Sequence, residues 1–188
     1  FSEASINDSK TLVPLMFLVV MVLIGVLVGT IGGLLATLVI IITSITGAMG
    51  LAGWAGLYLT APSASAPIII LTLAVADCVH ILSTFYHEMR SGVERKQALI
   101  TSLRINTQPV ILTSATTAVG FLSMNFSDSP PFADLGNIVA IGVMLACILS
   151  LTLFPALLAI LPLKATPKAQ NMQTLMDRIA KLVINNKR

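Results

Sequence analysis

Apolar residues run through this sequence in long stretches, broken by short polar interruptions. Between Lys10 and Asp77 there are 66 consecutive residues without Asp, Glu, Lys or Arg. Residues 105–127 and 135–163 form two more uncharged stretches. A helix needs about 20 apolar residues to cross a bilayer, so these stretches have room for five spans. Proline, glycine and polar clusters cut them at 12–28, 34–58, 68–86, 109–126 and 135–161. The breaks are GTIGG at 29–33, TAPSASAP at 60–67, the charged stretch 87–104 and the double-proline loop 125–134. The expected fold class is all-α, a polytopic transmembrane helix bundle of five spanning helices with one or two interfacial amphipathic helices. The domain plan is a lead-in at 1–11, the five-span core at 12–163 and a cytoplasmic tail at 164–188.

Two segments have helical periodicity without the length or apolarity of a span. In the tail, Met172, Leu175, Met176, Ile179, Leu182 and Val183 share a face, with Arg178, Lys181 and Lys187 among them. Segment 92–105 is weaker, with Leu99, Ile100 and Leu103 apolar. Each suits either a helix lying on an anionic leaflet or a short helix packed on the protein's own cytoplasmic face.

Composition agrees: 56% of the 188 residues are hydrophobic and 10% charged, against about a quarter charged in soluble domains. That excludes a disordered chain, a nucleic-acid-binding module and a secreted disulfide scaffold. Cys78 and Cys147 both fall within spans and read as small buried thiols. The placement of charge says more than its amount. One side of the five-span plan holds a single basic residue, Lys10, with Glu3, Asp8, Asp128 and Asp134. The other holds the remaining ten of the eleven basic residues, which marks it as cytoplasmic. The chain then starts outside without a visible signal peptide, as expected of a piece of a longer protein.

Asp77 is the one charged residue inside a predicted span, about 16 Å along a helix begun near Ala66. An ionised carboxylate at that depth costs at least ~2.5–3.5 kcal/mol on insertion scales. Taking up a proton relieves the cost, which suits a proton relay; a structural Asp bonded to neighbouring hydroxyls is the plainer reading. His80 follows at i+3 and shares a helix face with Asp77, with Leu73 and Thr84 completing the stripe. The histidine can exchange a proton with the acid or simply bond a backbone carbonyl. Thr113, Thr116, Thr117 and Gly120, flanked by Ser114 and Ser123, form a polar stripe in the fourth span. It can glue helices together or line a water path. Small residues spaced by four, Gly25, Gly29 and Gly33 and then Ala48, Ala52 and Gly56, read as helix packing. His80 and His87 are too far apart along the helix to share a metal ion. No metal, cofactor or hydrolytic nucleophile is expected.

The segments LTLAVADCVHIL (71–82), QPVILTSATTAVGFLSM (108–124) and FADLGNIVAIGVMLACILSLTLFPALLAIL (132–161) resemble the resistance–nodulation–division (RND) superfamily. They are most similar to its bacterial exporter and MMPL-type branch that handles lipids. The resemblance covers nearly all of the chain and rests on the mid-span Asp-x-x-His, the Pro-led Thr-rich span and the final LFPALL. It departs from the pattern at Cys78, where a second polar residue is frequent, and at Ala74 and Ala76. It implies spans two to six of an N-terminal half, a five-helix unit also similar to a sterol-sensing domain. It also implies a proton-driven exporter of lipid-like or amphiphilic molecules in the bacterial inner membrane, with Asp77 and His80 as the proton relay. Thr84, Thr113, Thr116 and Thr117 would lie along a polar pathway. The implied partners are membrane lipids, a hydrophobic substrate, the remaining half of the transporter, and oligomer or periplasmic partners. The alternative is a sterol- or lipid-sensing module that binds without pumping. An intramembrane hydrolase has only the Asp77/His80 pair in its favour.

Overall fold

A computed structural model of the chain describes residues 31–161, together with the helical positions Leu15, Leu18, Val19, Val22 and Gly25. The span expected at 12–28, those five positions apart, and the amphipathic tail at 164–188 lie outside the described residues. All regular structure described is helical: α1 (Ile31–Trp54), α2 (Ala66–Arg90), α3 (Arg95–Leu122), α4 (Pro130–Leu151) and α5 (Leu153–Ile160). Short 3-10 turns at Ser63–Ser65 and Ser123–Phe126 lead into α2 and out of α3. Four stretches are long and apolar enough to cross a membrane: Ile31–Trp54, Ser63–Arg90, Arg95–Phe126 and Pro130–Ile160.

The elements end where local chemistry ends them. The 34–58 span stops at Trp54 because Gly56 adopts φ +75° and closes the helix. The Leu57 N–H bonds the Ala52 carbonyl (3.0 Å) and the Gly56 N–H bonds Gly53 (3.2 Å), which satisfies two end carbonyls. Gly56 therefore belongs to a turn and not to the Ala48/Ala52 packing stripe. Gly92, at φ +84°, ends α2 in the same way.

Segment 92–105 is not a separate interfacial helix. From Arg95 it forms the first turns of α3, which runs unbroken through Pro109. Proline removes one backbone donor and usually kinks a helix, but in spanning helices neighbouring side chains re-satisfy the backbone. Ser102 and Asn106, just before the proline, are buried and bond α2. Ala98 and Ser102 are buried, and the segment is continuous with a spanning helix, not the short separate helix that either reading of its periodicity supposes.

The last expected span, 135–161, begins earlier, at Pro130, and is divided. Pro155 offers no N–H to the Leu151 carbonyl, and Thr152, at φ −115° and ψ −65°, separates α4 from α5. Arg95 reaches from the start of α3 to the end of α5, where Nη2 donates to the carbonyls of Leu158 and Leu161. A cation on the last carbonyls of a helix also complements the helix dipole. Arg95→Ala is therefore expected to cost about 1–3 kcal/mol, read as a lower unfolding temperature in detergent; Lys96→Ala, at an exposed neighbour, is the control.

The four long helices form a rhombus. α4 packs on α1, α2 and α3, and α2 packs on its three neighbours, so the α2–α4 contact is the short diagonal. The packing residues follow helical spacing: Ala36, Ile40 and Ile41 on α1, and Ala74, Cys78, Ile81 and Leu82 on α2. The buried stripe of α3 recurs every fourth residue: Ala98, Ser102, Asn106, Val110, Ser114 and Ala118. Every member but Val110 is small or polar, so α3 approaches α2 and α4 closely and brings hydrogen-bonding groups with it.

Candidate functional site

Asp77 sits halfway along α2 and is 6% exposed. Its position in the pattern explains its burial: it lies between Ala74 and Ile81, both fully buried, on the face that α2 turns toward α3 and α4. The Ser114 hydroxyl of α3 donates to Asp77 Oδ2 at 3.3 Å. The Cys147 thiol of α4 adjoins the same Ser114 hydroxyl, so α2, α3 and α4 meet at one polar node. Cys78, next to Asp77, is fully buried in the apolar core. Both cysteines are free thiols in the interior.

Two more cross-links join α2 to α3 on the side of the node toward Arg90 and Arg95. The Asn106 amide donates to Thr84 Oγ1 (2.9 Å) and to its own Ser102 carbonyl (2.8 Å). The Ser102 hydroxyl donates to the Ile81 carbonyl (2.6 Å). Ser102, Asn106 and Ser114 thus form three rungs of one ladder, two between neutral groups and one ending on a carboxylate.

The structure separates the other candidate residues. His80 is exposed on α2, and no hydrogen bond joins it to Asp77 among the described residues. Thr84 is half-buried; it donates to the His80 carbonyl of its own helix at 3.3 Å, and the bond it accepts from Asn106 ties it to the ladder. Thr113 and Thr116 are exposed and Thr117 half-buried. Thr113 bonds the Pro109 and Val110 carbonyls, and Thr116 bonds Leu112 and Thr113, all on their own helix. Thr113 and Thr116 of the conspicuous threonine stripe therefore face away from the described bundle, while Ser114, a flanking residue, points inward to the acid. The ladder had a sequence signal in the small or polar residues at 98, 102, 106, 114 and 118, a spacing of four that Val110 completes and Pro109 masks. No group of three or more metal-ligating side chains occurs among the described residues.

Fold and site define a multi-pass membrane protein with, among the described residues, one buried carboxylate at a three-helix junction. The chain belongs to the MMPL family, whose sequence profile matches residues 2–185, and with it to the RND superfamily of membrane transporters. MMPL family transporters are not enzymes. A relative, membrane protein MJ1562 of the archaeon Methanocaldococcus jannaschii, is 34% identical over 92 residues, which are 49% of this chain. The match covers 24% of that relative, so the chain spans about a quarter of its length.

Proposed function

We propose that this chain is part of the membrane core of a proton-motive-force-driven exporter of lipid-like or amphiphilic molecules, working in the inner membrane of a bacterium, with Asp77 as the proton carrier. The observation that supports the reading is the Asp77–Ser114 hydrogen bond, which makes the charge of the one mid-membrane acid and the fit of α2 against α3 a single variable.

The cycle follows from donor and acceptor counting. As a carboxylate, Asp77 only accepts, and the Ser114 hydroxyl is oriented to donate. A proton arriving from the outer side adds to the carboxylate. The neutral acid then carries its own O–H, and the charge-assisted rung becomes an ordinary one. The helix packing preferred with the charge present is no longer favoured to the same degree, and that difference drives repacking. Release of the proton toward the basic end, where Arg90, Arg95 and Lys96 lie, resets the rung. Thr84, Asn106 and Ser102 lie on that side of Asp77, so in this reading they outrank the outward Thr113 and Thr116 as the polar path. His80, outward on the same helix, exchanges protons with Asp77 only across a contact made outside the described bundle.

The test is export of a fluorescent lipid-like probe by the full-length protein in proteoliposomes with an imposed pH gradient. Export that stops when a protonophore collapses the gradient supports the reading; probe binding without flux in either condition favours the lipid-sensing module. Ser114→Ala is expected to lower the gradient-driven rate roughly five- to thirtyfold. Thr113→Val should stay within about twofold, since it removes only bonds within α3.

A further inference from the structure

Among the described residues, eight buried side chains are polar, and Ser44 alone has no hydrogen-bond partner. It is fully buried in the middle of α1. The hydroxyls of Thr37, Thr43 and Thr46, on the same helix, each bond the carbonyl four residues back. The Ile40 carbonyl offers Ser44 the same bond, and the hydroxyl does not take it. Leaving a hydroxyl unbonded in an apolar interior is costly, and such hydroxyls are where buried water is held.

Helix register identifies what faces Ser44. A Cβ on Gly142 would meet Ile70 of α2 at 2.3 Å and Ala48 of α1 at 3.1 Å, so these three residues share one level. One turn further toward the basic end, the same three helices present Ser44, Ala74 and Ala146. Ile41, Ala74 and Ala146 pack in one cluster with Ile45, so α1 contributes to it the residues on either side of Ser44. Two alanines opposite a serine leave backbone carbonyls uncovered, and each carbonyl keeps a second lone pair beyond its helix bond. A water at this level therefore has the Ser44 hydroxyl and carbonyl oxygens as partners.

Asp77 follows Ala74 by three residues, about 4.5 Å along α2. The polar ladder of Thr84, Ser102 and Asn106 lies on the inner side of the acid. On the outer side the bundle is filled by Leu135, Ile138, Val139 and Val143, with Ala52 and Ala66. Ser44, one turn outward of Asp77, is the buried hydroxyl that adjoins this apolar stretch.

We propose that Ser44 holds a water molecule against α2 and α4, and that this water passes the incoming proton to Asp77. The inference rests on the proton-carrier reading of Asp77. The water gives one proton to the carboxylate as it takes another from the outer side, so it is neutral before and after the step. Ser44 only fixes the water and is a positioning residue. The titratable groups that the packed faces bring toward Ser44 are Asp77 and Cys78 on α2 and Cys147 on α4; α1 and the buried stripe of α3 carry none.

The test uses the full-length protein in proteoliposomes with an imposed pH gradient, and reads initial export of the lipid-like probe at neutral and at acid outer pH. Ser44→Ala is expected to lower the rate roughly fivefold at neutral outer pH. The shortfall should narrow at acid outer pH, where a higher proton concentration offsets slower delivery. Ser150→Ala removes a buried hydroxyl that bonds its own helix, at the Cys147 carbonyl (2.9 Å), and should stay within about twofold at both. A Ser44→Ala shortfall of equal size at both pH values would make Ser44 structural and overturn the inference. Wild-type export that is lost in Asp77→Asn but unchanged in Ser44→Ala overturns the inference and leaves the proton-carrier reading standing. A wild-type protein without gradient-driven export overturns both.

Discussion

Asp77→Asn in the full-length protein is expected to abolish gradient-driven transport and to leave the fold intact. Asparagine has nearly the volume of aspartate and can still accept the Ser114 bond. What it lacks is a titrating charge, so the proposed cycle loses its proton carrier at the α2–α3 rung. The stability effect should have the opposite sign to most core substitutions. A buried carboxylate carries a desolvation cost that a neutral amide does not, so the variant should unfold at the same temperature or higher. Two measurements separate the ideas: the initial export rate under an imposed pH gradient, expected to fall at least about a hundredfold (about 2.7 kcal/mol of coupling), and the unfolding temperature in detergent. Normal transport by the variant would sink the relay. Loss of transport with a lowered unfolding temperature would instead make Asp77 structural.

Gly136→Ala is expected to be the most damaging single methyl addition in the bundle. A Cβ there would stand 2.3 Å from the Phe121 carbonyl oxygen and 3.0 Å from Met124 Cβ. The first obstacle is backbone, so α3 and α4 would have to move apart where they cross. Overpacking of this kind costs about 1–3 kcal/mol; this case belongs at the upper end, since no side chain can turn away. At Gly142 the obstacles are side-chain atoms only, Ile70 Cδ1 and Cγ1 at 2.3 and 2.5 Å and Ala48 Cβ at 3.1 Å, with no backbone atom among them. Gly142→Ala should therefore cost less. Gly50 and Gly53, in α1, have open space where a Cβ would go, and alanine there should be neutral or stabilising by up to ~1 kcal/mol. Cys78 and Cys147 are buried, so a thiol-reactive fluorophore reports the unfolding temperatures of all these variants. Gly136→Ala unfolding at the wild-type temperature would refute the close α3–α4 crossing.

The reach of sequence reading differs between elements for physical reasons. Spans two to five were legible because bilayer thickness sets a length that any uncharged run must meet, and Asp77 stood out as the lone charge within one. Helix ends were less legible. Gly56 has the spacing of a packing glycine and acts through its positive φ. Pro109 has the spacing of a helix opener, yet it lies inside α3, whose preceding turn is already bonded to α2 through Ser102 and Asn106. The threonine stripe was misleading in a similar way. A hydroxyl satisfied by its own helix can face outward, and only the tertiary arrangement shows that Thr113 does so while Ser114 turns in. Asp77 and His80 share a helical face by spacing, but an i+3 step rotates far enough to leave one inside the bundle and the other outside.

The unequal rungs of the α2–α3 ladder have an energetic consequence. The Ser102 and Asn106 rungs join neutral groups and hold whatever the proton does, so one end of the seam stays fastened. A hydrogen bond to a charged group is worth about 1.5–3 kcal/mol, against about 0.5–1.5 for a neutral one. One proton on Asp77 therefore removes roughly 1.4 kcal/mol of preference at the Ser114 rung alone, a factor of about ten in the ratio of closed to open seam. The seam is thus biased to part from its middle, at a single point, and by an amount that one protonation event can supply.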